Sequence, residues 1–176
     1  MRIPFWTPAQ AQRDPTLVAA IEQRHGGRLL NLDRMLLWSE PLARSWNVFL
    51  RTLRQELSLA PKLRELAICV VARATDADYE FHHHAPEFEK AGGSAAKVAA
   101  LDNPDAAATS ALFDALEQNV IRYALASTRA VKVPDALFDA LARQLSPTEL
   151  IELAAVVAGY NMVARFLVAL QVAPEA

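Results

Sequence analysis

Cysteine is nearly absent from the chain: Cys69 is the one such residue in 176, which excludes an intramolecular disulfide. An excess of charge of either sign is also missing. Eighteen Lys and Arg against twenty Asp and Glu leave a formal net charge of -2, with no basic surplus to hold a phosphate backbone, so nucleic acid is not an expected partner. The opening MRIPFWTPAQAQRDP lacks the basic-then-apolar layout of a signal peptide. The most apolar segment, LIELAAVVAGYNMVARFLVALQV, is interrupted by Glu152, Asn161 and Arg165, and falls short of the unbroken run of roughly 20 apolar residues that a bilayer span requires. A cytoplasmic protein with no membrane partner is the expectation, that segment being a buried helix able to pack in an oligomer. Low-complexity tails and short-period repeats are absent as well.

What is present is a helical pattern. The hydrophobic fraction of 53% is enough for a sizeable core, apolar residues recur at spacings of three and four, and no long stretch alternates strictly. The fold class is all-α, read as a single domain over 1–176 with residues 1–57 as its N-terminal helical part. Asp14-Pro15 opens a helix as N-cap and first position, and Gly26-Gly27 closes it. Further helices are expected at about 29–37 and 41–57. A helix from Pro61 is apolar around nearly its whole circumference and therefore buried on most sides, carrying Glu65 with it. The next runs from about 77 to 91 and stops at Gly92-Gly93, followed by a short helix at SAAKVAAL. A long helix is expected over about 106–127, a shorter one from Pro134 to near Gln144, and a last one from Ser146-Pro147 with Glu149, which carries Tyr160, Asn161 and Arg165.

Three of the four histidines stand together in YEFHHHAPEFEKAGG. Successive helical residues point about 100° apart, so His82, His83 and His84 fan out and are not expected to chelate a metal. Residues four apart share a face, which groups Asp76, Glu80 and His84 and makes Glu80 and His84 the pair of interest. Pro86 removes the backbone donor that would reach the His82 carbonyl, a site for a kink.

The run RELAICVVARATDADYEFHHHAPEFEKAG resembles the signature of the carboxymuconolactone decarboxylase-like family, within the alkylhydroperoxidase D-like superfamily. The matching residues are Arg64-Glu65, Tyr79-Glu80-Phe81, His84 and Gly92, with weaker similarity from about Leu29 through Arg165. In the peroxidase branch a glutamate, a Cys-x-x-Cys pair and a histidine form a proton relay to a redox dithiol. Residue by residue, Glu65 matches the glutamate and His84 the histidine, while Ala77 and Glu80 stand where the two cysteines would be. Thiol turnover needs a thiolate and a resolving partner, so disulfide-linked peroxide reduction is not expected. Cys69, one turn beyond Glu65, is read as a small buried apolar residue.

Acid-base equipment without a nucleophile remains. Burial is expected to raise the Glu65 carboxyl, and an adjacent carboxylate to favour the imidazolium, so that Glu65, Glu80 and His84 act as a catalytic proton-exchanging group. Arg165, with Asn161 on the same face of the last helix and Tyr79 within the motif, is the candidate for binding a substrate carboxylate; an internal salt bridge is the competing reading. The resemblance implies a decarboxylase or related proton-transfer enzyme for a small carboxylated or lactone-like metabolite, needing no metal or organic cofactor, and assembled as a homo-oligomer, a trimer or dimer of trimers. A residual antioxidant role and a non-catalytic helical oligomer are the alternatives.

Overall fold

A computed structural model describes residues 1–10 and 14–175. Every regular element among them is a helix: α1 (Pro15–Arg24), α2 (Asn31–Leu36), α3 (Glu40–Gln55), α4 (Pro61–Ala74), α5 (Asp78–Lys90), α6 (Ala95–Ala100), α7 (Pro104–Ala107), α8 (Ala115–Ala130), α9 (Asp135–Ala142) and α10 (Pro147–Leu170). The start of α1 follows from its sequence, since the Asp14 carboxylate accepts from the backbone of Thr16 and Leu17 and Pro15 needs no donor there. Ser146 and Glu149 likewise close a reciprocal capping box at the start of α10.

The centre of the molecule is α4, which packs against α5, α8 and α10. Leu66 through Ala72 are all buried, as an all-round apolar pattern demands. The link from α4 to α5 is tight: Ala77 donates to the Ala72 carbonyl at 2.9 Å, and Asp76 adopts a left-handed φ of 54°, which a short polar side chain tolerates. Asp76 thus stands outside α5 rather than on the Glu80 and His84 face. Pro86 lies inside α5, which runs through it to Lys90. Its end is closed by Gly92 at φ 101°, with Gly93 donating to the Phe88 carbonyl at 2.8 Å.

Gly159 sets how close α10 comes to α3, because a Cβ there would meet Leu53 Cδ1 at 2.6 Å. The expected long helix over 106–127 is instead two, α7 and α8, separated by a turn. Asp114 and Glu117 form a capping box that starts α8 afresh. The Glu117 carboxylate is buried yet satisfied by Lys97 at 2.6 Å and Lys62 at 3.1 Å, which pins α8 to α4 and α6. By length and composition α10 would suffice to cross a membrane, but Leu153, Val156, Val157, Tyr160, Val163, Ala164 and Leu167 are buried in the protein core.

Candidate active site

Antiparallel pairing of α4 and α5 across the short turn brings Glu65 alongside His84. Nδ1 of His84 lies 2.7 Å from Oε2 of Glu65, and both residues are buried, at 9% and 4% exposure. The other carboxylate oxygen of Glu65 accepts from Arg64 Nε at 3.1 Å. Burial works to raise the Glu65 carboxyl, but hydrogen bonding to His84, the charge of that ring and then Arg64 outweigh it and hold Glu65 below the usual carboxylate range. The expected upward shift of Glu65 is therefore reversed, because its partners are in place. An ionised Glu65 fixes the Nδ1–H tautomer of His84 and leaves Nε2 as the ring atom that can exchange a proton.

The upward shift belongs to Glu80. Its side chain is 2% exposed, neither carboxyl oxygen has a hydrogen-bond partner, and burial pushes its pKa far above the ordinary value. The expected Glu80–His84 pairing does not form: a shared helix face brings residues into register, but the His84 ring turns to α4. The three adjacent imidazoles do not converge on one point, although the His82 ring stands edge-on to that of His83 with centroids 5.2 Å apart. His82 is exposed, His83 Nε2 reaches Oε2 of Glu175 at 2.8 Å, and His84 reaches Glu65. Among the described residues no group of three or more His, Cys, Asp and Glu is placed to hold a metal ion.

Glu65, Glu80, His84 and Tyr79 line one cavity of about 550 Å³, together with Tyr160, Val163 and Leu167 of α10. Tyr160 stacks its ring edge-on to His84, with centroids 4.9 Å apart. The Tyr79 hydroxyl donates to Glu175 Oε1 at 3.1 Å and accepts from the Leu32 N–H at 3.3 Å.

Arg165 and Asn161 are not among the residues lining this cavity. Five residues beyond Tyr160, Arg165 is rotated by about 140° on the helix, and it donates to Oδ1 and the carbonyl of Asn161 at 2.6 and 3.1 Å. Asn161 is itself buried and donates to Thr128 Oγ1 at 2.9 Å. Arg165 is thus engaged with Asn161, and Asn161 with Thr128 of α8.

Other arginines supply the positive charge. Arg24, Arg51, Arg54 and Arg64 line the cavity with His25. Arg24 is paired with Asp33 at 3.2 Å, Arg51 with Glu56 at 3.1 Å and Arg64 with Glu65. Arg54 has no acidic partner among the described residues; its Nε donates to the Leu50 carbonyl at 3.1 Å, and its charge bears on Arg24, His25 and Asp33 on one side and Tyr160 on the other. His25 is pushed down to about 4 by burial and then by Arg24 and Arg54, so at neutral pH it accepts from Arg24 Nε at 3.1 Å as a neutral ring. The visible signal for Arg54 was its spacing, one turn from buried Leu50 on an amphipathic helix, which places a cation beside the core.

Residues 40–126 match the model of the carboxymuconolactone decarboxylase family, a span that contains Glu65, Glu80 and His84. The chain belongs to that family. Among solved structures the fold is shared with a peroxidase-related protein from Silicibacter sp. TM1040, 19% identical over 98% of this chain and 93% of that one, with a TM-score of 0.81. It is also shared with the alkylhydroperoxidase AhpD core of a peroxidase-related protein from Ralstonia eutropha JMP134, 16% identical over 99% and 92%, TM-score 0.82. The debrominase Bmp8 in complex with 2,3,4-tribromopyrrole is 21% identical over 100% and 92%, TM-score 0.79. At these identities the likeness is one of fold. No functionally curated protein matches the chain.

Proposed function

We propose that this carboxymuconolactone decarboxylase family member is an enzyme that moves protons on a small carboxylated or lactone-like metabolite. The observation that carries the reading is the buried Glu65–His84 pair opening on an arginine-lined cavity of about 550 Å³, a volume suited to a small metabolite. Arg54 takes the substrate-anchoring role that Arg165 is not placed to fill. With a backbone carbonyl as its one hydrogen-bond partner among the described residues, it has two terminal nitrogens to offer in a two-point contact to a carboxylate. Glu65 keeps His84 in one tautomer, so Nε2 either takes a proton from a carbon next to a carbonyl or returns one after carbon dioxide leaves. This chemistry needs no cofactor.

The antioxidant reading is disfavoured by the residues themselves. Ala77 and Glu80 occupy the positions matched to the redox cysteines, and Cys69 is buried with its thiol pushed far up by burial and then by Glu65 and Glu80, the opposite of a reactive thiolate. We further propose a soluble, cytoplasmic homo-oligomer, a trimer or a dimer of trimers. Supporting it are the exposed apolar side chains Leu42, Val48 and Phe49 of α3 and Ile151, Met162 and Val168 of α10, more than a solvated helix face ordinarily carries.

A panel of lactones and carboxylic acids, followed by carbon dioxide release and by loss of ultraviolet absorbance, tests the reading. Turnover that disappears in His84→Ala supports it. Turnover that survives His84→Ala, or peroxide reduction dependent on Cys69, overturns it.

A further inference from the structure

Two buried polar groups on residues lining the cavity have no hydrogen-bond partner among the described residues. Glu80 rises from the first turn of α5, and Tyr160, 1% exposed, comes from α10. Both carboxyl oxygens of Glu80 and the phenol oxygen of Tyr160 are buried without a hydrogen-bond partner. Both residues line the same cavity as His84, and Tyr160 lies edge-on against that ring. The Glu80 charge, were it present, would bear on Tyr160, so the two groups are within electrostatic reach of each other. An orphaned buried polar group is costly, and native proteins keep few of them. Two on residues that line one cavity beside a potential base point to a use.

The protonation states define that use. Burial alone keeps Glu80 in its neutral form, and a neutral carboxyl carries an O–H donor. Burial likewise pushes the Tyr160 phenol up, holding its proton. Arg54 bears on Tyr160 with positive charge, which favours an anion arriving there; the Glu65 carboxylate opposes it and Arg64 adds to it. A carboxyl held neutral by an apolar site, paired with a tyrosine, is a chemically sound way to stabilise an oxygen that becomes negative during reaction.

We propose that Glu80 and Tyr160 form a two-donor oxyanion site that holds the oxygen of an enolate formed from a carbonyl-containing substrate. The proposal rests on the acid-base reading of Glu65 and His84 and names the substrate class for it: a ketone or lactone with either a hydrogen or a carboxylate on the carbon next to its carbonyl, or conjugated with it. In the first case His84 Nε2 takes the proton as the C–H bond breaks. That electron pair forms the carbon–carbon double bond, and the carbonyl π pair moves onto oxygen. In the second case the C–CO2 bond supplies the pair and carbon dioxide leaves. Glu80 and Tyr160 each donate one hydrogen bond to the resulting oxyanion, and collapse returns the pair to carbon, which takes a proton from His84: in the first case the one just abstracted, in the second one that His84 has taken up from water. Glu80 is then a hydrogen-bond donor, and not the group that tunes His84.

The site is testable without a substrate, using nitrophenols of graded acidity as enolate-like probes. The wild type is expected to bind them as phenolates, seen by the visible absorption of the anion below the free phenol's own pKa. Tyr160→Phe and Glu80→Leu should each weaken binding at least about tenfold, the size of one lost hydrogen bond, while Glu80→Gln, which keeps a donor, should lose less. Infrared spectroscopy at pH 7 should show the carbonyl stretch of an un-ionised carboxylic acid that vanishes in Glu80→Gln. An ionised Glu80, or nitrophenolate binding unchanged in Tyr160→Phe, would overturn the site. Tyr160→Phe removes a single oxygen, so it decides the matter even where Glu80→Leu does not fold. Loss of probe binding in Tyr160→Phe with no turnover across the lactone and acid panel would support the oxyanion site and remove the acid-base reading. Turnover across that panel with probe binding unchanged would do the reverse.

Discussion

His84 Nδ1 sits 2.7 Å from Glu65 Oε2, a contact between residues 19 positions apart on two helices. Glu65 thereby shares its two oxygens between a histidine on α5 and Arg64 on its own helix. The two buried glutamates are therefore pushed in opposite directions: partners hold the Glu65 carboxyl below the usual carboxylate range, and burial pushes that of Glu80, without partners among the described residues, well above it. Pairs of carboxyls pushed in opposite directions are a common arrangement in acid-base sites.

On any lactone or acid that the wild type turns over, His84→Ala and Glu65→Gln should each lower kcat by roughly a hundredfold or more, a size typical of losing a general acid or base or its orienting partner. Cys69→Ser should change kcat little. Steady-state kinetics on the purified variants measures both.

Replacing Glu80 should reveal its cost to the fold. Its folded-state pKa is raised, so between the ordinary carboxylate pKa and the folded value the native state binds more protons than the unfolded one, and stability falls as pH rises, by about 1.4 kcal/mol per pH unit for one proton. Glu80→Gln removes that term. The variant should melt higher than the wild type at pH 7 and 8, with the advantage shrinking toward pH 4. Calorimetric melting across that range showing a constant or inverted difference would contradict the assignment.

Arg54→Gln should raise KM for a carboxylate substrate by about tenfold to a hundredfold, corresponding to roughly 1.5–3 kcal/mol for a charged hydrogen-bonded contact, with a smaller effect on kcat. Arg165→Gln should leave KM nearly unchanged. The comparison separates a cavity arginine from one committed to Asn161.

Light scattering at micromolar concentration should give three or six times the subunit mass. Charged substitution in the apolar row of α3, for example Phe49→Glu, should shift the mass downward. A monomer in the unsubstituted protein would remove the proposed assembly.

Much of the fold was legible because helix formation is a local matter. The Asp14-Pro15 start of α1, the Ser146-Glu149 box of α10 and the Gly92-Gly93 stop of α5 each involve residues within one turn of each other, and the structure shows all three. The break between α7 and α8 was less visible. Asp114 and Glu117 form their capping box within one turn but lie in an alanine-rich stretch with helical spacing throughout, and the burial of Glu117 depends on Lys62 and Lys97, which come from other helices.

The candidate site divides in the same way. Sequence alone determined the all-helical class, and pointed to three histidines that do not converge on one point and, through its motif, to Glu65, Glu80 and His84 as one candidate group. Tertiary structure decided which of them touch. Each residue turns a helix by about 100°, so the rotation and tilt at which α3, α4, α5 and α10 pack determine whether a side chain meets a partner, a cavity or solvent. That packing joined His84 to Glu65, left Glu80 and Tyr160 without acceptors, brought Arg54 into the cavity and turned Arg165 away, because those outcomes depend on contacts between segments far apart in the chain.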